Sequence, residues 1–138
     1  MSLEITHGER EGIEILVLNG YLTFGQEDLD LRQELDRMIE AGQVRVAFNL
    51  KDLTKLDTTG LGTLLFAREK LRKAGGNLAI FNLHPSHFEL LVEAELETAF
   101  DVFQSEQDAI NSFFPGREVK RYDILEFVES LKPKQPNP

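Results

Sequence analysis

The run Val44-Arg45-Val46-Ala47-Phe48-Asn49-Leu50 limits this chain's folding choices more than any other stretch, because it is β-rich and nearly continuous in apolar residues. Successive strand side chains point to opposite faces, so a strand apolar on both must be covered on both, as in a parallel sheet flanked by helices. A helical run with Leu61, Leu64, Leu65 and Leu71 follows. Between them, the stretch from Leu53 to Leu65 reads as a strand-to-helix turn that places an acid, two hydroxyls and a glycine at the start of a helix.

The rest of the chain repeats the pattern. Leu3, Ile5 and His7 alternate with polar residues, and after the polar turn Glu9 to Gly12 comes the β-rich run Ile13 to Leu18, which together predict an antiparallel hairpin. Thr23 with Gln26 fits a capping box for a helix carrying Leu31, Leu35, Met38 and Ile39, which should end near Gly42. Gly75-Gly76 ends the second helix. Leu78 to Phe81 is a short buried strand, and Pro85 and Ser86, with Glu89 after them, start a third helix with Phe88, Leu91 and Val92. A last strand falls around Phe100 to Phe103, and Ser105 with Asp108 caps a fourth helix. The order β-β-α-β-α-β-α-β-α predicts an α/β fold with a mixed, mostly parallel sheet, an antiparallel N-terminal strand and packing helices.

Pro115-Gly116 punctuates the end of that unit, so residues 1–114 form the expected domain and 115–132 a helical extension. In the extension, Asp123 and Glu126 form a cap pattern, and Ile124, Phe127, Val128 and Leu131 share one face of an extra C-terminal helix too short to stand alone in water. Its apolar face is expected to cover the protein's own surface, with self-association and partner docking as the other readings. Residues 133–138 are polar and proline-rich, the composition of a disordered tail.

Charge narrows the partners. The net charge of −9 argues against nucleic acid, whose binding needs a basic face, and equally against an anionic membrane surface. After residue 114 five basic side chains face four acidic ones, so the first 114 residues alone carry −10, and a basic protein partner is the natural counterpart. The chain has no cysteine, which rules out disulfides, thiolate metal sites and cysteine nucleophiles. No apolar run is long enough to span a bilayer, and the expectation is a cytoplasmic protein without membrane insertion.

Taken as physics alone, Asp57-Thr58-Thr59-Gly60 is an ordinary helix N-cap contributing about 1 kcal/mol. The same turn also suits a phosphate, since the first N–H groups of a helix lack internal partners and the helix dipole is positive there. Gly60-x-Gly62 lacks the third glycine of a dinucleotide loop, Leu65 standing in its place. His84-Pro85-Ser86-His87 offers two imidazoles without a further ligand, and a helix-start role is expected rather than a metal. His7 reads as an edge or surface position. No serine, histidine and acid share a spacing that marks a triad.

The segment Asn49-Leu50-Lys51-Asp52-Leu53-Thr54-Lys55-Leu56-Asp57-Thr58-Thr59-Gly60-Leu61-Gly62 resembles the signature of STAS domains of the anti-sigma-factor antagonist type, in which a strand ends in Asp-Ser/Thr-Ser/Thr-Gly-Leu-Gly. The likeness extends over about residues 3 to 114 in element order. It implies that Thr58 is the phosphoacceptor, that Asp57, Thr59 and Gly60 shape the turn, and that Leu61 and Arg68 add to a partner-binding surface. It further implies a non-catalytic, bacterial partner-switching regulator of transcription. The unmodified form would bind a kinase-type anti-sigma factor, phosphorylation by that kinase would release it, and a serine/threonine phosphatase would restore it. No cofactor, metal or catalytic residue is expected, and homo-oligomerisation is left open. The chain is also similar to small STAS proteins that regulate lipid-transport ABC ATPases and to stressosome scaffold components. It departs from the family pattern at Gly20-Tyr21-Leu22-Thr23, where Gly-x-Leu-Asp is common, and at Glu95-Leu96, where Gly-Leu is common.

Overall fold

The computed structural model describes residues 3–131, so Lys132 and the proline-rich tail expected at 133–138 lie outside the described residues. Strands β1 (Leu3–Arg10) and β2 (Ile13–Leu22) form the antiparallel hairpin. Its two-residue turn, Glu11 and Gly12 at φ 54° and 81°, has the positive dihedrals that match strand twist. Helix α1 (Gln26–Glu40), β3 (Arg45–Asn49), β4 (Leu53–Leu56), α2 (Thr58–Lys73) and β5 (Asn77–Phe81) follow. A 3-10 turn (Pro85–His87) leads into α3 (Phe88–Glu93), then come β6 (Val102–Phe103), α4 (Glu106–Asn111) and α5 (Ile124–Ser130). The sheet order is β1-β2-β3-β5-β6, with every pair parallel except the hairpin.

The central strand is covered on both sides, as its composition requires. Val46 and Phe48 join Leu16, Leu18 and Ile80 in a core closed by α1, α2 and α3. Ala47, between them, faces the other way and packs with Ile13, Ile15, Phe81 and Phe103 under Ala109 and Ile110 of α4. Gly75, at φ 91°, turns the chain out of α2, and a Cβ on Gly76 would lie 1.8 Å from the Val44 carbonyl oxygen. That contact is why the pair is glycine: helix α2 can return to the sheet only by grazing the backbone before β3.

Four sequence expectations need correction. Leu53 to Leu56 is not turn but strand β4. Strand β2 is ten residues long and outruns β3, which pairs only with its first half, so the chain turns at Leu50 to Asp52 and lays β4 parallel to Gly20, Tyr21 and Leu22. Thr23 does not cap α1; the N-cap is Gly25 at φ 133°, a backbone that a β-branched residue avoids. The third helix opens at Pro85 and Ser86, but as a 3-10 turn before α3, and His84 fills the expected helix-start role as its cap, the imidazole accepting the Ser86 N–H. Leu131 is 60% exposed, because α5 ends before it.

The caps at Ser105 and Asp123 form as expected, each side chain accepting the N–H three residues on. Ile124 and Val128 of α5 are buried in the α1–α3 side of the core. Phe127 and Tyr122 meet Phe88 of α3 edge-to-face at 5.1 and 5.2 Å between ring centroids. Glu95, at the position where glycine is common in the family it resembles, holds the left-handed φ of 58°.

Candidate functional site

Helix α2 begins where β4 ends, and Asp57 is the joint between them. Its backbone is extended, at φ −118° and ψ −176°, which lets the carboxylate fold back over the helix start. Oδ1 accepts the Gly60 N–H at 2.8 Å, and Oδ2 accepts the Phe24 N–H at 3.0 Å. One carboxylate thereby caps α2 and ties the β2–α1 loop to it. Gly60 is a requirement of the same packing: a Cβ there would stand 2.1 Å from the Leu22 carbonyl oxygen and 2.8 Å from Leu56 Cδ1. Its open side is already filled by backbone, so no phosphate can approach it as in a dinucleotide loop.

Thr58, the first helical residue, is exposed, and Thr59 is half-buried with its carbonyl 3.1 Å from the Thr63 hydroxyl. Thr63 is itself buried and lies in hydrogen-bond contact with Asp28 of α1. Arg32 Nε donates to the same Asp28 carboxylate at 3.0 Å, and the Arg32 guanidinium lies 4.1 Å from the Phe66 ring centroid. Burial pushes the Asp28 carboxyl up, but the Thr63 hydroxyl and the Arg32 guanidinium together outweigh it and hold it below the usual carboxylate range. This polar joint locks α1 to α2 just behind the exposed turn.

The turn thus brings Asp57, Thr58, Thr59 and Gly60 together. Arg68 lies nearly three turns along α2, partly exposed and 3.4 Å from Glu69. Leu61 does not share that surface: it is 1% exposed and packed in the core, since the helix presents it inward with Leu64. Of the exposed apolar residues that escaped the sequence reading, two lie in α1 and the loop before it. Phe24, beside Asp57, is 81% exposed, and Leu29 in α1 is 50% exposed. The available signal for Phe24 was an aromatic with no periodic partner among Thr23, Gly25 and Gln26. Asp28 and Thr63 were also missed, since no local pattern links residues 35 apart.

A hollow of about 610 Å³ lies elsewhere, lined by residues such as Phe100, Tyr122 and Leu125, and contains no residue of the turn. Among the described residues no group of three or more histidine, cysteine or acidic side chains is placed to hold a metal ion, and no helix is long and apolar enough to cross a membrane.

Fold and site together define an α/β domain built around one mostly parallel sheet, with a threonine displayed at the start of its longest helix. The model of the STAS domain family matches residues 4–109, and the chain belongs to that family. It is 27% identical over 111 residues to the anti-sigma F factor antagonist of Paenibacillus polymyxa, covering 80% of this chain and 94% of that one. An anti-sigma factor antagonist from Mycobacterium paratuberculosis superposes with a TM-score of 0.69 at 17% identity, over 80% of this chain and 93% of that one. The Bacillus cell-fate determinant SpoIIAA in its phosphorylated form gives a TM-score of 0.59 at 19% identity, over 79% and 98%.

Proposed function

We propose that this protein is an anti-sigma-factor antagonist: a non-catalytic binding domain that holds a kinase-type anti-sigma factor while Thr58 is unmodified and releases it when Thr58 carries a phosphate. The observation that carries this reading is the exposed Thr58 hydroxyl on the first residue of a sixteen-residue helix, beside an aspartate whose two oxygens are already engaged. With each oxygen accepting one backbone N–H, the Asp57 carboxylate is held in place and acts as a positioning residue. In this reading the kinase supplies the group that takes the proton leaving Thr58 Oγ1 on phosphoryl transfer from ATP. This division of labour fits a domain that is its partner's substrate.

Phosphorylation adds about −1.5 to −2 charge. At this position the helix N-terminus offsets part of it, so the fold tolerates the group. A docked partner does not, because a desolvated like-charge contact costs several kcal/mol, enough for a change of a hundredfold or more in affinity. Phe24, 81% exposed and hydrogen-bonded through its N–H to Asp57, supplies an apolar anchor next to the switch, with Thr59 and Arg68 extending the contact surface along α2. A serine/threonine phosphatase would complete the cycle by removing the phosphate.

The test is an affinity capture from native lysate with Thr58→Ala and Thr58→Glu baits in parallel. A kinase of the GHKL type held by the alanine bait and lost from the glutamate bait is the expected result. An ABC ATPase as the stable partner, a very large assembly with sister STAS proteins, or a partner set indifferent to residue 58 would overturn it.

A further inference from the structure

A second polar site lies at the carboxyl end of the sheet and includes none of Asp57, Thr58, Thr59 and Gly60. Strands β3 and β5 run parallel and exit side by side: the Leu50 N–H donates to the Phe81 carbonyl at 3.0 Å, and Asn82 Nδ2 donates to Asn49 Oδ1 at 3.2 Å. The segments that follow diverge, one toward β4 and one toward the turn before α3. They leave a cleft of about 250 Å³ lined by Lys51, Leu53, Thr54, His84, Ser86 and His87.

The lining is chemically unlike the rest of the molecule. The chain holds 24 acidic side chains against 15 lysines and arginines, yet this cleft contains one lysine, two histidines, two hydroxyls and no carboxylate. The hydrogen bonds fix which groups can donate into it. Thr54 Oγ1 spends its proton on the Gly20 carbonyl at 3.1 Å. His84 Nδ1 accepts the Ser86 N–H at 3.1 Å and lies 2.8 Å from Ser86 Oγ, so in the neutral ring the proton sits on Nε2 and that atom is a donor. His87 Nδ1 is buried and has no partner among the described residues. Burial, and then the neighbouring His84, hold the His87 imidazole below its ordinary range, a state that the counter-charge of an anion in the cleft would relieve.

We infer that this cleft is a binding site for a phosphate-class anion, either inorganic phosphate or the phosphoryl group of a small phosphomonoester, held by the Lys51 ammonium, His84 Nε2–H and the His87 ring. Size decides against a nucleotide: about 250 Å³ is below the roughly 300–1,000 Å³ that larger ligands occupy. The site differs in kind from the Thr58 turn. There a phosphate would be covalent and meet an acidic neighbour, whereas here a free anion meets only cationic and neutral groups.

The test is a titration of inorganic phosphate into the full chain at constant ionic strength, following the histidine imidazole NMR signals, with chloride in place of phosphate as the control. Saturable shifts of His84 and His87 with a dissociation constant on the order of millimolar are expected, with His7 unmoved. Lys51→Ala, an exposed position that leaves the fold intact, weakens binding about tenfold or more, as does His84→Gln, while Lys73→Ala on the far end of α2 leaves it unchanged. Shifts that grow linearly without saturation, that chloride reproduces, or that Lys51→Ala leaves as strong as before would overturn the assignment.

Discussion

Asp57 and Phe24 are 33 positions apart in the chain and joined by one hydrogen bond, Phe24 N–H to Asp57 Oδ2 at 3.0 Å, while the other carboxylate oxygen caps α2. The loop that displays the exposed aromatic and the turn that displays the threonine are therefore held by the same side chain. Asp57→Ala should remove both bonds and cost about 1–2 kcal/mol. Asp57→Asn keeps an acceptor oxygen for the Gly60 N–H and should recover a large part of that loss. Urea denaturation of the three proteins compares them directly, and an alanine variant as stable as the parent would show that the carboxylate does not hold the turn.

Phe24→Ala should separate binding from folding. The ring is 81% exposed, so its loss should change stability by no more than about 0.5 kcal/mol. If it anchors the partner, affinity for the captured anti-sigma factor should fall at least tenfold, or about 1.4 kcal/mol. Calorimetric titration with the purified partner gives the second number and thermal denaturation the first.

Two glycines two residues apart should respond in opposite directions. Gly60→Ala would drive a methyl to 2.1 Å from the Leu22 carbonyl, displacing β2 from α2, and should destabilise by about 2–3 kcal/mol or prevent folding. Gly62 has nothing within 4 Å of an added Cβ and is exposed in the first turns of α2, so Gly62→Ala should stabilise by up to about 1 kcal/mol. Melting temperatures of the pair decide the matter.

The extra helix α5 supplies a buried face to the main core, with Phe127 and Tyr122 closing on Phe88. Deleting residues 117–138 should therefore lower the melting temperature by several degrees without altering oligomeric mass, as measured by light scattering. Phe127→Ala in the full chain should cost about 2–3 kcal/mol. A deletion that left the melting temperature in place but changed the mass would move the contact from within the chain to between chains.

What the sequence disclosed and what it withheld divide by range. Doubly covered β3, the Ser105 and Asp123 caps and the Gly75-Gly76 exit are short-range signals, written within a few residues, and each is present. Strand β4 was hidden because its existence depends on how far β2 outruns β3, a tertiary fact that four residues of mixed character do not encode. The inward turn of Leu61 was hidden behind its place in the motif, which marks the residue without saying which way it points. The Asp57–Phe24 and Asp28–Thr63 bonds lie beyond any local pattern, yet they set the shape of the site.

The Asp28–Thr63 contact has a consequence for acid stability. In the folded protein the Asp28 carboxyl is held below its ordinary value by the Thr63 hydroxyl and Arg32, against burial that works the other way. A carboxyl whose folded value is depressed contributes stability that is fully present above its unfolded value, about 3.9, and is lost as pH falls through the folded value. Thr63→Val preserves the shape of the side chain and deletes the hydroxyl, leaving the half-buried Asp28 with one donor fewer. The variant should be less stable than the parent at neutral pH, and the gap should narrow as both are taken below about pH 4, because protonated Asp28 no longer needs the bond. Denaturant midpoints measured from pH 7 to pH 3 test this, and a gap that stayed constant across that range would assign the loss to packing instead of charge.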